Sequence, residues 1–66
     1  MQITVNGEVM ELEDGATIAR LLERLELQPR YVAVERNCEL VPRTEHDRCV
    51  LRPGDRVEIV TLVGGG

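Results

Sequence analysis

The chain has 66 residues, of which 42% are hydrophobic and 30% charged, and its formal net charge is −4. This length allows one domain, near the lower size limit for a single hydrophobic core, and excludes an enclosed active site. The composition excludes intrinsic disorder, and basic residues that are scattered singly exclude the basic stripe typical of nucleic-acid binding, so we expect protein partners and no nucleic acid.

No apolar run reaches the roughly 18 residues that a membrane-spanning helix needs. The N-terminal segment MQITV has the alternation of a strand, whereas a signal peptide begins with a basic region and continues with an apolar one. We therefore predict a cytoplasmic protein with no membrane contact.

The first twelve residues predict a β-hairpin. They are divided by Asn6-Gly7, a pair typical of two-residue type I′ turns because both turn residues need positive φ. Counting outward from the turn, Val5 faces Glu8 and the following pairs alternate between two faces. The face predicted to be apolar consists of Met1, Ile3, Val5, Met10 and Leu12.

An amphipathic helix is predicted next, because the apolar period changes from two to about 3.6 residues. Its apolar stripe consists of Ile18, Leu21, Leu22 and Leu25. Thr17 is a suitable N-cap, and Pro29 cannot continue a helix. The helix is therefore predicted to run from Thr17 to Leu25.

The second half of the chain returns to strand patterns. Residues 31–35 (YVAVE) predict one strand, and residues 56–63 (RVEIVTLV), which follow a turn at residues 53–55, predict the most regular one. Shorter elements are predicted between them: a turn at Asn37, a strand over residues 38–41, a loop or single helical turn over residues 42–47, and an edge strand over residues 49–51.

This order of elements predicts an α+β fold in which one main helix packs across a mixed sheet of four to five strands. A hairpin, a crossing helix and a returning strand form the ubiquitin-like β-grasp plan, in which the last strand lies parallel to the first and the crossover is right-handed. The alternative is a two-layer α+β sandwich with another strand order. We predict a single domain over residues 1–66, with a flexible C-terminal tail over residues 63–66.

Cys38, Cys49 and His46 are the residues to consider for redox or metal chemistry. The two cysteines form neither a CxxC pair nor part of a four-ligand zinc site, so we predict free structural thiols, with a disulfide as the alternative. His46 lies between two acidic residues and is predicted to lie in a solvated polar loop. We predict no metal site, no bound cofactor and no catalytic residue in this chain.

The last strand and the tail carry the candidate functional residues. Strand alternation turns Val60 and Leu62 outward, where apolar side chains gain little unless another protein covers them, so we predict that they dock a partner. The glycines of residues 64–66 lose more conformational entropy on ordering than other residues would, so we expect them to stay mobile in the isolated protein. An unselected frayed end is the alternative.

A chain end without side chains can enter a narrow channel and bring its carboxylate to another protein's catalytic centre. Three extended residues reach about 10 Å. A carboxylate is a poor electrophile because it is ionised at neutral pH, so it has to be activated, for example as a mixed anhydride with AMP, before it reacts. We therefore predict that a partner enzyme supplies the chemistry.

Four motifs span the chain: ITVNGE, YVAVERN, VPR and GDRVEIVTLVGGG. In this combination, and over a chain of this length, they resemble the ThiS family of sulfur carrier proteins of thiamine biosynthesis. The resemblance implies that the Gly66 carboxylate is adenylated by an ATP-dependent, ubiquitin-activating-like enzyme of the ThiF type. Sulfur from a persulfide donor then gives a thiocarboxylate, which delivers it to thiazole synthase of the ThiG type. Gly64 and Gly65 would thread the partner's active site.

The chain departs from this family at His46, where relatives often carry an aromatic residue. Three alternatives to the thiamine pathway stay open on the sequence alone. The chain could serve another sulfur-transfer pathway, as do the small subunit of molybdopterin synthase and the carriers for tRNA thiolation, which are usually longer. It could also be a ubiquitin-like modifier joined to lysines of other proteins, or an interaction module with an inert tail.

Overall fold

The structure, a computed structural model, describes residues 1–62. Five strands in this range form one mixed sheet. The predicted tail, residues 63–66, lies outside the described residues. The strands are β1 (Gln2–Val5), β2 (Glu8–Glu11), β3 (Val32–Arg36), β4 (Glu39–Val41) and β5 (Arg56–Thr61). Their order in the sheet is β2-β1-β5-β3-β4, with β5 parallel to β1 and the other pairs antiparallel. This order confirms the predicted ubiquitin-like β-grasp and excludes the sandwich with another strand order.

The β1–β2 hairpin has the predicted register, in which Val5 pairs with Glu8 and Ile3 with Met10. Asn6 and Gly7 have φ values of 50° and 84°, as a type I′ turn requires. The apolar pattern and the turn therefore specify the same pairing, and neither of them favours a shifted register.

One helix, α1 (Ile18–Arg24), begins after Thr17, whose Oγ1 accepts a hydrogen bond from the Arg20 backbone N–H at 3.2 Å. The predicted helix between Thr17 and Leu25 is confirmed, and it ends before Pro29 is reached. Leu25 is its C-cap, and Glu26 then adopts a left-handed conformation with φ of 58°. The backbone N–H of Leu27 donates to the Leu22 carbonyl at 2.9 Å, which completes a Schellman-type end. Leu27 still packs against the core, and Pro29–Tyr31 form a separate 3-10 turn.

The core lies between α1 and one face of the sheet. Its buried hydrophobic residues are Ile3, Leu12, Ala16, Ile18, Leu21, Leu22, Val32, Val34, Leu51 and Val57. The helix contributes three of them with no more than 1% of their surface exposed, Ile18, Leu21 and Leu22. Truncating such a residue to alanine typically costs about 2–5 kcal/mol, so this stripe is the main support of a domain of this size.

The predicted edge strand over residues 49–51 is wrong. Val50 forms only an isolated bridge with Thr17. The flanking backbone groups bond to the start of the helix, because Ile18 N–H donates to the Cys49 carbonyl at 3.0 Å and Leu51 N–H donates to the Ala16 carbonyl at 2.8 Å. This segment therefore pairs with the chain that enters α1 instead of joining the sheet.

His46 does not lie in a solvated loop, so that prediction is also wrong. Only 4% of its surface is exposed, and its Nε2 lies 3.2 Å from the Val41 carbonyl. The 3-10 turn of Arg43–Glu45 brings the following segment back toward α1, and the His46 carbonyl accepts from the Ala19 N–H at 2.9 Å. Its acidic neighbours are exposed, so the turn separates the histidine from the polar residues on either side.

A buried carboxylate, Asp55, connects two turns. Its Oδ2 accepts from the Arg52 N–H at 2.9 Å, and its Oδ1 accepts from the Asn37 side-chain amide at 3.1 Å. Asn37 in turn accepts from the Arg56 N–H at 3.0 Å. The predicted turns at Asn37 and at residues 53–55 are confirmed, and these bonds hold them together at the start of β5.

Candidate functional site

β5 is the strand that leads into the C-terminal segment. Val57 is buried and Ile59 is half-buried against the core, whereas Val60 and Leu62 lie on the other side with 59% and 48% of their surface exposed. The predicted outward orientation of Val60 and Leu62 is confirmed. Two apolar side chains therefore face solvent immediately before the residues predicted to carry the chemistry.

Apolar residues of neighbouring strands extend this surface across the sheet. Val60 pairs with Ala33 of β3, and Leu40 of β4 is exposed on the same side, since its neighbour Val41 packs against the core. We call Ala33, Leu40, Val60 and Leu62 the exposed sheet face. Because no helix of the described chain covers it, the sheet is packed on one side only.

Two acidic side chains lie within this face. Glu35 of β3 pairs directly with Glu58 of β5, and both are exposed. Neither takes part in an ion pair within residues 1–62. Like charges directly opposite each other on adjacent strands are destabilising. The exposed sheet face is thus an apolar surface with a local negative charge that the isolated fold does not use.

The backbone of β5 and of the residue after it is held on the β3 side up to Leu62 and on the β1 side up to Ile59. On the β3 side, Leu62 N–H donates to the Tyr31 carbonyl at 2.7 Å. On the β1 side, the Asn6 side chain takes the place of a strand, because its Oδ1 accepts from Ile59 N–H at 2.7 Å and its Nδ2 donates to the Ile59 carbonyl at 3.2 Å. The segment that follows therefore starts from a fixed support.

The role of Asn6 could not be read from the sequence. The Asn-Gly pair indicated a turn, and any residue that tolerates positive φ would have satisfied that pattern. Its side-chain bonds to Ile59 depend on β5 lying beside β1, which is a contact between the two ends of the chain. A signal existed only in the choice of Asn over Asp, since Asp cannot donate a hydrogen bond.

The other predicted site residues have separate positions. Gly64, Gly65 and Gly66 lie outside the described residues. Cys38 is exposed in the β3–β4 turn and Cys49 is half-buried, and both thiols are free. Within residues 1–62, no group of three or more His, Cys, Asp or Glu side chains is placed to hold a metal ion. No helix in the same range is long and apolar enough to cross a membrane.

Comparisons with known proteins agree with this geometry. A family model described as the ThiS family matches residues 3–66. The sulfur carrier protein ThiS of Escherichia coli (strain K12) is 30% identical over 66 residues, which cover 100% of both chains. The crystal structure of the thiamine biosynthesis protein (ThiS) of Geobacter metallireducens is 35% identical and superposes with a TM-score of 0.86, with 100% of both chains covered.

A longer relative also contains this domain. The thiazole synthase of Paramagnetospirillum magneticum is 39% identical over 66 residues, which are 100% of this chain but 20% of that protein. The chain therefore spans about a fifth of the length of this relative.

Proposed function

The chain belongs to the ThiS family, and we propose that it is a sulfur carrier of thiamine biosynthesis in which Gly66 holds the sulfur as a thiocarboxylate. The observation that carries this proposal is the match to a sulfur carrier protein over the full length of both chains. The exposed sheet face supports it, because an apolar surface beside the last strand gives a partner a place to bind next to Gly66.

The proposed chemistry begins with the Gly66 carboxylate. A carboxylate oxygen attacks the α-phosphorus of ATP on an adenylating enzyme of the ThiF type, and pyrophosphate leaves. The terminal sulfur of a persulfide donor then attacks the acyl carbon, and AMP leaves. A thiol cleaves the resulting acyl disulfide, is itself oxidised to a disulfide with the donor's sulfur, and leaves the thiocarboxylate on Gly66. ATP binds the partner enzyme, and this chain holds no cofactor of its own.

In this scheme the carrier contributes position and not catalysis. Residues 63–66 span at most about 14 Å when fully extended, so the enzyme acting on Gly66 has to bind close to Leu62. Gly64 and Gly65 add no side chains that would collide with a narrow channel. Val60 and Leu62 would then lie at the mouth of that channel and hold the carrier in one orientation.

Thiazole synthase is the proposed recipient of the sulfur. Support comes from the thiazole synthase of P. magneticum, which contains a segment similar to this entire chain. A carrier that transfers sulfur as an acyl-bound group avoids free sulfide, and its docking contacts select the recipient.

Intact-mass spectrometry tests the proposal. The chain is incubated with ATP, the adenylating enzyme encoded in the same genome and a persulfide donor, and a second sample omits ATP. We expect a mass increase equal to the exchange of one oxygen for one sulfur, only when ATP is present. A variant that lacks residues 64–66 should gain nothing. An unchanged mass, under conditions in which the E. coli sulfur carrier is loaded by its own enzymes, would overturn the proposed function.

A second measurement tests the pathway. The sulfur-loaded chain is mixed with thiazole synthase or with the large subunit of molybdopterin synthase, and loss of the added mass is followed over time. We expect thiazole synthase to remove the sulfur when its other substrates are present. Removal by the molybdopterin synthase subunit alone would assign the carrier to the other pathway.

A further inference from the structure

We propose that this carrier has a second docking surface, a groove on the helix side of the sheet that takes an apolar side chain of thiazole synthase flanked by a basic residue. The groove has a volume of about 420 Å³ and is open to solvent. Its apolar walls include Met10, Leu25, Leu27 and Ile59. This inference rests on the proposed function, because it assumes that an enzyme acts on Gly66.

The groove exists because the elements around it differ in length. β1 pairs with β5 only at Thr4–Arg56 and Val5–Val57, and the chain then turns away into β2. β5 continues beyond this point to Thr61, so its last residues have no strand beside them on that side. On the opposite wall the helix has already ended at Arg24, and Leu25 and Leu27 of the following turn line the groove.

The groove lies next to the point where the chain leaves for Gly66. Thr61 lines it and directly precedes Leu62, the last described residue. With at most about 14 Å between Leu62 and Gly66, an enzyme that reaches Gly66 must approach this end of β5. The exposed sheet face and the groove lie on the two sides of β5, and both reach its C-terminal end. An enzyme that approaches this end can therefore contact both.

Chemistry and charge decide what kind of side chain fits. Among the residues that line the groove, Glu8 is the charged one, and it is exposed at the start of β2. The whole chain also carries a net charge of −4. An apolar group fits the walls, and an adjacent Arg or Lys on the partner complements Glu8.

We commit to thiazole synthase as the occupant. In P. magneticum, a segment 39% identical to this chain is part of the thiazole synthase polypeptide itself. Such a domain remains close to the rest of its enzyme at a high effective concentration, so a surface that recognises that enzyme is useful on both the joined and the separate carrier.

Two pairs of matched variants test the groove. Thr61→Arg places a large charged side chain over the groove, and its control is Thr44→Arg. Both threonines are exposed, but Thr44 lies in the 3-10 turn of Arg43–Glu45 and does not line the groove. Glu8→Arg reverses the charge, and its control is Glu39→Arg, because each glutamate is exposed and begins a strand at an edge of the sheet.

Affinity for the thiazole synthase of the same genome is measured by calorimetry, and folding of every variant is checked by thermal unfolding. We expect each groove variant to bind about tenfold more weakly than its control, a difference of about 1.4 kcal/mol. Sulfur loading by the adenylating enzyme should be unchanged in all four variants.

Equal affinities of groove and control variants would overturn the groove proposal, even if the wild-type chain is loaded with sulfur. Slower sulfur loading of the groove variants with normal binding of thiazole synthase would overturn it too, because the adenylating enzyme would then be the occupant. Failure of the wild-type chain to take up sulfur overturns the proposed function instead, so the two proposals fail separately.

Discussion

Replacing Val60 of β5 and Leu62, which follows β5, with serine should weaken docking to the adenylating enzyme without affecting folding. Fully burying a valine or leucine side chain stabilises by about 1.5–3 kcal/mol. Val60 and Leu62 have 59% and 48% of their surface exposed, so about half of that gain is still available to a partner. We therefore expect each substitution, Val60→Ser or Leu62→Ser, to weaken docking by about 1 kcal/mol. The double variant should lose about 2 kcal/mol, or roughly 30-fold in affinity.

The stability of the isolated domain should be almost unchanged by these substitutions. Surface substitutions away from special features usually alter stability by less than about 0.5 kcal/mol. Val50→Ser is the matched control, because Val50 is also about half exposed but lies beside Thr17 and Arg36, whereas Leu62 bonds to Tyr31 before the other end of β3. Its docking affinity and its stability should both stay near those of the wild type.

The assay measures the initial rate of sulfur loading of Gly66 at several carrier concentrations, by intact-mass spectrometry. We expect the Val60→Ser and Leu62→Ser double variant to show a raised KM for the carrier with little change in kcat, because docking is lost and the reacting residue is intact. A double variant with the same KM as Val50→Ser would refute the docking role of the exposed sheet face. If the free energy of unfolding, measured in urea, falls by as much as the free energy of docking, the effect is due to folding and not to docking.

Three further predictions concern stability. Cys38 has φ of 70°, a conformation that costs a residue with a side chain about 1–2 kcal/mol. Cys38→Gly should therefore stabilise the domain by about 0.5–1 kcal/mol and raise Tm by a few degrees. Cys38→Ala keeps a side chain at this position and should not raise Tm. Asp55→Ala should cost about 2–3 kcal/mol in urea unfolding, because it leaves the Arg52 N–H and the Asn37 amide without their acceptor, and a loss under about 0.5 kcal/mol would contradict this. The hydrogen bond from Arg20 lowers the pKa of Glu13. Glu13 therefore adds stability above its unfolded pKa, and this stability is lost as pH falls. The free energy of unfolding of Glu13→Gln should fall less steeply than that of the wild type between about pH 5 and 3. An unchanged pH profile in the Glu13→Gln variant would show that the bond contributes nothing.

The parts of the fold that the sequence predicted are those in which a local pattern and a neighbouring turn agree. Asn6-Gly7 fixes the hairpin register because the turn allows two residues and the alternation allows one phase. The helix was placed correctly between Thr17 and Leu25 because a cap and an apolar stripe coincide there. Its true end depends on Glu26 adopting positive φ, which no residue preference for glutamate would suggest.

Within residues 42–51 the predicted helical turn is confirmed by the 3-10 turn of Arg43–Glu45, whereas the solvated His46 and the strand over residues 49–51 were wrong because the structure there depends on distant partners. His46 is buried by the approach of this segment to α1, and the backbone of Cys49–Leu51 bonds to residues 16 and 18. A polar sequence without periodicity does not predict such long-range contacts. The acidic residues on either side of His46 are exposed, so its burial could not be inferred from its neighbours in the sequence.

The candidate site divides in the same way. Alternation within one strand was sufficient to predict that Val60 and Leu62 face outward. The pairing of Glu35 with Glu58 and the groove beside Thr61 both depend on which strands become neighbours and on where each one ends. A single sequence supplies strand patterns but not the relative lengths of paired strands, so both features became visible only in the folded chain.

The exposed sheet face carries two features that lower the stability of an isolated domain. Its apolar side chains gain nothing from water, and Glu35 and Glu58 repel each other across adjacent strands. In a domain of this size, which has a small stability margin, neither feature is explained by folding. Both become favourable when a partner covers the apolar residues and places a cation between the two carboxylates. Under the proposed function two enzymes act on the carrier in turn, so this surface would have to be free between encounters, and a partner charge at Glu35 and Glu58 would make each encounter sensitive to salt.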